Sequence, residues 1–150
     1  MPARAIDRLL PRTVDGTYRG HKIAAKVFAV LAVVSMGRSL AHLLAPDGGA
    51  GSIAGLDLTA GGANIIFAFG LWGLAQTLYA VLQLLVAFRY RTLIPLMYLL
   101  LIIETVGRMA VGMAKPPVLL HAPPGGLANY VVLPLAAVML ALSLRAPGPR

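Results

Sequence analysis

Four apolar runs dominate the chain, and each carries its few polar residues at helical spacing. The first predicts a helix from Ile23 to Leu44, the second from Asn64 to Phe88, the third from Thr92 to Ala114 and the fourth from Leu127 to Leu144. Each is long enough to cross about 30 Å of hydrocarbon at about 1.5 Å per residue. None alternates with period two, so helices rather than barrel strands are predicted. The segments between them are breakers. Residues 45–62, "APDGGAGSIAGLDLTAGG", are rich in glycine, and Asp57 or Thr59 is placed to cap the second helix. "RYR" at 89–91 reads as a tight basic turn, and "KPPVLLHAPPGG" at 115–126 holds two Pro-Pro pairs that stop a helix. Val118, Leu119 and Leu120 in that loop are expected to dip into the interface. Pro95 falls in a first helical turn, where it is tolerated, whereas Pro134 predicts a kink.

The expected fold is therefore all-α, a four-transmembrane-helix bundle. Residues 1–21 form a basic N-terminal segment, residues 22–145 the membrane domain and residues 146–150 a tail. The N-terminal segment mixes Ile6, Leu9 and Leu10 with arginines. It reads equally as an amphipathic segment on an anionic inner leaflet and as a basic tail. Arg38 interrupts the end of the first apolar run, and no small-x-small site follows, so that run is expected to be an uncleaved helix.

Charge sets the orientation. Arg4, Arg8, Arg12, Arg19, Lys22, Lys26, Arg89, Arg91, Arg145 and Arg150 flank one side, ten in all, while Lys115 stands alone on the other. By the positive-inside rule both termini face the cytoplasm, which places the chain in the inner (cytoplasmic) membrane. The polar residues of the spans then acquire depths. Arg38 and His42 on the first helix and Glu104 and Arg108 on the third all fall in the outer half. Gln76 lies near the middle of the second, and Asn64 near its outer end. Ser35, Arg38 and His42 share one helical stripe. Trp72, Gln76, Tyr79 and Gln83 share another, and Met97, Leu101, Glu104, Arg108 and Val111 a third. The candidate site is thus a buried cluster of Glu104, Arg108, Arg38 and His42, with Gln76, Asn64 and Tyr79 as secondary members.

Insertion energies show why such a cluster is needed. The ten Leu, Ile and Val residues of the third run supply about −3 to −6 kcal/mol, and Glu104 with Arg108 takes back about 5 to 7 kcal/mol. Alone, that helix is near break-even. Glu preceding Arg by four residues is the favourable order for a local pair, and packing against the first helix is expected to complete the compensation. The arginines lie near enough to the outer boundary to snorkel to lipid phosphate. Glu104 is roughly ten residues deep at about 1.5 Å each, with a short side chain, and cannot. Two readings follow: a structural salt bridge, or a binding or proton-handling site in which an unmatched arginine grips an anion. Gly37 with Ala41 and Gly73 with Thr77 are small pairs that permit close helix approach.

Composition removes other classes. Hydrophobic residues make up 59 % and charged residues 12 % of the chain, against roughly 45–50 % and 25 % in soluble domains. With no cysteine, disulfides, thiolate metal sites and thiol redox chemistry are excluded. The net charge of +8 flanks apolar runs as topology requires, so no nucleic acid is expected as partner. His21 and His42 are too far apart along one helix to share a metal, and no cofactor is expected. "GAGSIAG" at 49–55 resembles a dinucleotide fingerprint only in glycine content, with no strand before it.

The stretch "GLWGLAQTLYAVLQLLVAFRYRTLIPLMYLLLIIETVGRMAVG" resembles the central helices of small DoxX-like bacterial membrane proteins. That resemblance covers the middle third of the chain and implies a four-helix fold. The cysteines and the glutathione- or quinone-linked chemistry of some relatives have no counterpart here. With no nucleophile–base pair legible, the reading leans away from an enzyme. It favours a structural or accessory subunit that partners other membrane subunits or its own copies. The alternative is a small proton- or anion-coupled carrier, or a lipid- or small-anion-binding protein, built on the charged cluster.

Overall fold

The computed structural model describes residues 5–145. The tail at 146–150 and Arg4 lie outside the described residues. Five α-helices follow one another: α1 (Ala5–Leu9), α2 (Lys22–Leu44), α3 (Gly62–Phe88), α4 (Ile94–Ala114) and α5 (Pro124–Leu144). A single 3-10 turn, Arg91–Leu93, leads into α4. The last four helices are each long and apolar enough to cross a membrane, the architecture of a multi-pass membrane protein. Pro95 enters α4 in its first turn, and α5 runs unbroken through Pro134.

The helix ends correct one expectation. Neither Asp57 nor Thr59 caps α3; its N-cap is Gly61 in the left-handed region, at φ 73°. Asp57 instead accepts from the Thr59 amide at 2.9 Å and closes a local turn. The bonds of that turn hold its carboxyl below the ordinary range.

Packing divides the bundle into two antiparallel hairpins, α2 with α3 and α4 with α5, joined more sparsely through α2 and α5. Their shared core sits at the basic end. It comprises Ala24, Ala25, Phe28 and Ala32 of α2, Val86 and Ala87 of α3, Ile94, Met97 and Tyr98 of α4, and Ala136 and Met139 of α5. Phe28 meets Tyr98 edge to face with ring centroids 5.5 Å apart. The Tyr98 hydroxyl donates to the Ala24 carbonyl at 2.7 Å and so fastens α4 to α2.

Toward the other end the shared core stops. Val106, Val111 and Met113 of α4 are exposed, as are Leu127, Tyr130 and Val131 of α5. There Gly73 lets the α2 backbone approach α3 closely at His42 and Leu43. Gly37 faces open space, so its pairing with Ala41 brings no helix together within this chain.

The hairpins meet again beyond the helices, through their loops. Leu56 and Leu119 form an isolated antiparallel bridge. The Leu120 amide donates to the Gly55 carbonyl at 2.7 Å, and the Asp57 amide to that of Val118 at 3.2 Å. The 118–120 segment therefore pairs with the glycine-rich loop.

Asp47 organises that loop. Its carboxylate accepts from the amides of Gly49, Gly51 and Ser52 and from the Ser52 hydroxyl. These bonds, the Ser52 amide foremost, hold its carboxyl at about 2 against an ordinary 3.8. A depressed pKa means that the ordered loop favours the ionised form. The contribution is complete above the ordinary value and is lost as pH falls through the depressed one. The protection factors of the Gly49, Gly51 and Ser52 amides, which remove the intrinsic pH dependence of exchange, are therefore expected to hold down to about pH 4 and to fall toward pH 2. In Asp47→Asn they should be lower at neutral pH and lack that acid step.

Candidate functional site: a polar seam between two hairpins

Between the shared core at one end and the paired loops at the other, four polar side chains run across three helices. Arg38 of α2 donates through a terminal guanidinium nitrogen to the Gln76 Oε1 of α3 at 3.0 Å. The Gln76 amide donates from Nε2 to the Glu104 Oε1 of α4 at 3.5 Å. Glu104 in turn faces Arg108 Nε at 3.8 Å. Helical phase explains why each residue reaches the seam. Arg38 shares a stripe with Ser35, Gln76 with Tyr79 and Gln83, and Glu104 with Met97 and Leu101, so each projects from the inward side of its helix. Gln83, at the inner limit of its stripe, is buried with its Oε1 unpartnered.

The expected cluster is redrawn in three ways. First, Arg38 does not pair with Glu104. A primary amide stands between them, with its carbonyl toward the cation and its NH₂ toward the carboxylate, so it complements both charges at once. Gln76, expected as a secondary member, is the central one. Hairpin pairing is the reason: α2 packs on α3 and α4 on α5, and the Arg38 side chain meets Gln76 before it can meet α4.

Second, the Glu104–Arg108 ion pair is not buried. The two side chains are 28 % and 33 % exposed, and 3.8 Å is too long for a hydrogen bond. The neighbouring Thr105 is fully buried, so α4 is covered on one side at this level and partly open where the ion pair lies.

Third, His42 belongs to a different group. Its ring is buried beneath the glycine-rich loop, with Nδ1 2.9 Å from the Gly48 carbonyl. A carbonyl only accepts, so Nδ1 carries the hydrogen. Trp72 lies 4.8 Å and Phe69 6.1 Å from the ring, centroid to centroid. A side chain on Gly49 would collide with the imidazole, so that glycine seals the site. His42 therefore anchors the loop to the α2–α3 hairpin. Trp72 links it to the seam, since the Arg38 guanidinium lies 5.5 Å from that ring's centroid.

The remaining secondary residues separate. Asn64 is exposed in the first turn of α3 and takes no part. Tyr79 is half-buried against the core, near enough to the Glu104 carboxylate to feel its charge. No motif announces the bridging role of Gln76. Its stripe with Trp72 and Tyr79 marks an inward position, but its partners depend on helix pairing. Among the described residues, no group of three or more His, Asp or Glu side chains is placed to hold a metal ion.

Chemically the seam is one carboxylate, one amide and two guanidiniums. It can hold an anion or order a neighbouring polar group. Comparison with protein-family models, curated proteins and solved structures finds no match.

Proposed function

We propose that the chain is a small accessory subunit of a membrane complex, and that a neighbouring subunit closes its polar seam. One observation carries the reading. Glu104 and Arg108 stay about a third exposed in the middle of a helix fit to cross a membrane. A charge exposed to hydrocarbon costs several kcal/mol, so a second protein surface at this place stabilises the insertion of α4. The apolar faces beside the pair, at Val106 and Val111, supply the flat contact that membrane helices use. The asymmetry of ten flanking basic residues to one supports cytoplasmic termini in an inner membrane, which sets the seam in the outer leaflet.

The test is recovery of the tagged full chain in a mild detergent, with a photo-cross-linking residue at Val106. A discrete higher-mass species that Glu104→Gln and Arg108→Gln both deplete is the expected result. A chain that migrates alone, without cross-links and with normal abundance in both variants, would overturn the reading.

A second reading rests on the charge count of the seam, two guanidiniums against one carboxylate. An anion-coupled carrier would use that excess. It is distinguished by Glu104→Gln abolishing flux in proteoliposomes while leaving abundance and assembly unchanged.

A further inference from the structure

The basic end of the bundle holds a cavity of about 400 Å³, walled by the N-terminal segment on one side and by the 3-10 turn and the ends of α4 and α5 on the other. Three arginines line it, Arg8, Arg12 and Arg19, against two carboxylates, Asp7 and Asp15. Asp15 spends its carboxylate on Thr17, accepting from both the amide and the hydroxyl. These bonds, helped by the Arg19 charge, keep it below the ordinary range. The segment is held in place rather than trailing. Arg8 donates to the Leu144 carbonyl at the end of α5 at 3.0 Å, and the Asp15 amide donates to the Thr92 hydroxyl at 3.1 Å.

Two polar atoms of this lining are buried without a hydrogen-bond partner, the Tyr18 hydroxyl and Arg8 Nε. Burial pushes the Tyr18 phenol up to about 12, so it is an O–H donor at any physiological pH. Arg8 Nε–H is a donor always. Both donors sit just beneath the cavity wall, where an acceptor reaches them once the covering side chains shift, and the arginines that line the cavity favour a negative one. Leaving such donors unmatched is unfavourable, because each has given up its bonds to water without gaining a partner.

We propose that this cavity binds a phosphate group, with Arg8, Arg12 and Arg19 supplying charge and the Tyr18 hydroxyl and Arg8 Nε–H supplying donors. The cavity is larger than one phosphate and opens where the basic flanks of the spans cluster. A phosphodiester with its glycerol, as in an anionic phospholipid headgroup, fits the same chemistry as soluble phosphate.

The full chain decides between these. One arm reconstitutes it in phosphatidylcholine discs with and without phosphatidylglycerol and counts retained lipid by native mass spectrometry. The other titrates inorganic phosphate into delipidated protein and follows the unfolding temperature. Tyr18→Phe removes one donor and should weaken retention about tenfold. Arg12→Gln with Arg19→Gln should weaken it further. Retained phosphatidylglycerol that both variants lose establishes a headgroup site, and stabilisation by phosphate that both variants blunt establishes a soluble-phosphate site. If wild type holds neither ligand better than these variants, the proposal is overturned. Tyr18→Phe is the deciding variant should Arg12→Gln with Arg19→Gln fail to fold.

Discussion

Replacing Gln76 with leucine is expected to lower stability in detergent by about 2–4 kcal/mol, the cost of leaving a partly buried cation and a carboxylate without their shared partner. Leucine matches the volume of glutamine closely enough that packing contributes little. The loss should therefore be electrostatic. A double-mutant cycle separates the parts. Arg38→Met in the Gln76→Leu background should cost much less than Arg38→Met alone, since the guanidinium it removes has already lost its acceptor. Trp72 is the sole tryptophan and packs beside Arg38, so its emission follows both unfolding and the local rearrangement. If Gln76→Leu unfolds with wild type and the cycle shows no coupling, the amide bridge contributes nothing and the seam is a set of independent polar residues.

Gly73→Val should act at the other side of Trp72, and by a different cause. A Cβ on residue 73 would lie 2.7 Å from the His42 carbonyl carbon and from the Leu43 nitrogen, both backbone atoms of α2. Neither can rotate away, so the helices must separate. Overpacking of this kind costs about 1–3 kcal/mol, and the branched side chain is expected to reach the upper part of that range. Separation also pulls Trp72 and Phe69 from His42 and loosens the glycine-rich loop. Gly37→Ala is the matched control. Nothing lies within 4 Å of a Cβ there, so relief from glycine's backbone entropy should stabilise α2 by about 0.5–1 kcal/mol. Unfolding temperature and Trp72 emission check both. Equal effects at the two glycines would mean that the α2–α3 contact is not set by Gly73.

Both predictions concern contacts that only the folded chain reveals, and the two glycines show why. Gly37–Ala41 and Gly73–Thr77 are indistinguishable as sequence: each puts a small residue one turn from another on an apolar helix. Which pair meets a neighbour depends on how α2 and α3 are rotated about their axes, and that rotation is a property of the whole interface. Gln76 is a similar case. Its stripe placed it inward, yet its role came from lying between two charges on helices that pair with different neighbours. Glu104 and Arg108 share one face by helical spacing, but how deeply that face is covered depends on where the shared core ends. His42 was assigned by depth to the charged group, whereas a nearby carbonyl and two aromatic rings captured it first.

The chain alone determined its four long helices, their ends to within a few residues, and the uneven spread of basic charge, because hydrophobic length and flanking charge are local quantities that any bilayer reads residue by residue; the short α1 was not among them. The stripes on each helix were likewise fixed by the 3.6-residue period. Tertiary structure decided which helices pair, that the common core occupies one end only, that an amide stands between Arg38 and Glu104, and that the N-terminal segment folds over a cavity. Those outcomes depend on shape complementarity between surfaces far apart in the chain, where a single glycine or a side chain's reach selects among arrangements that the apolar pattern leaves equal.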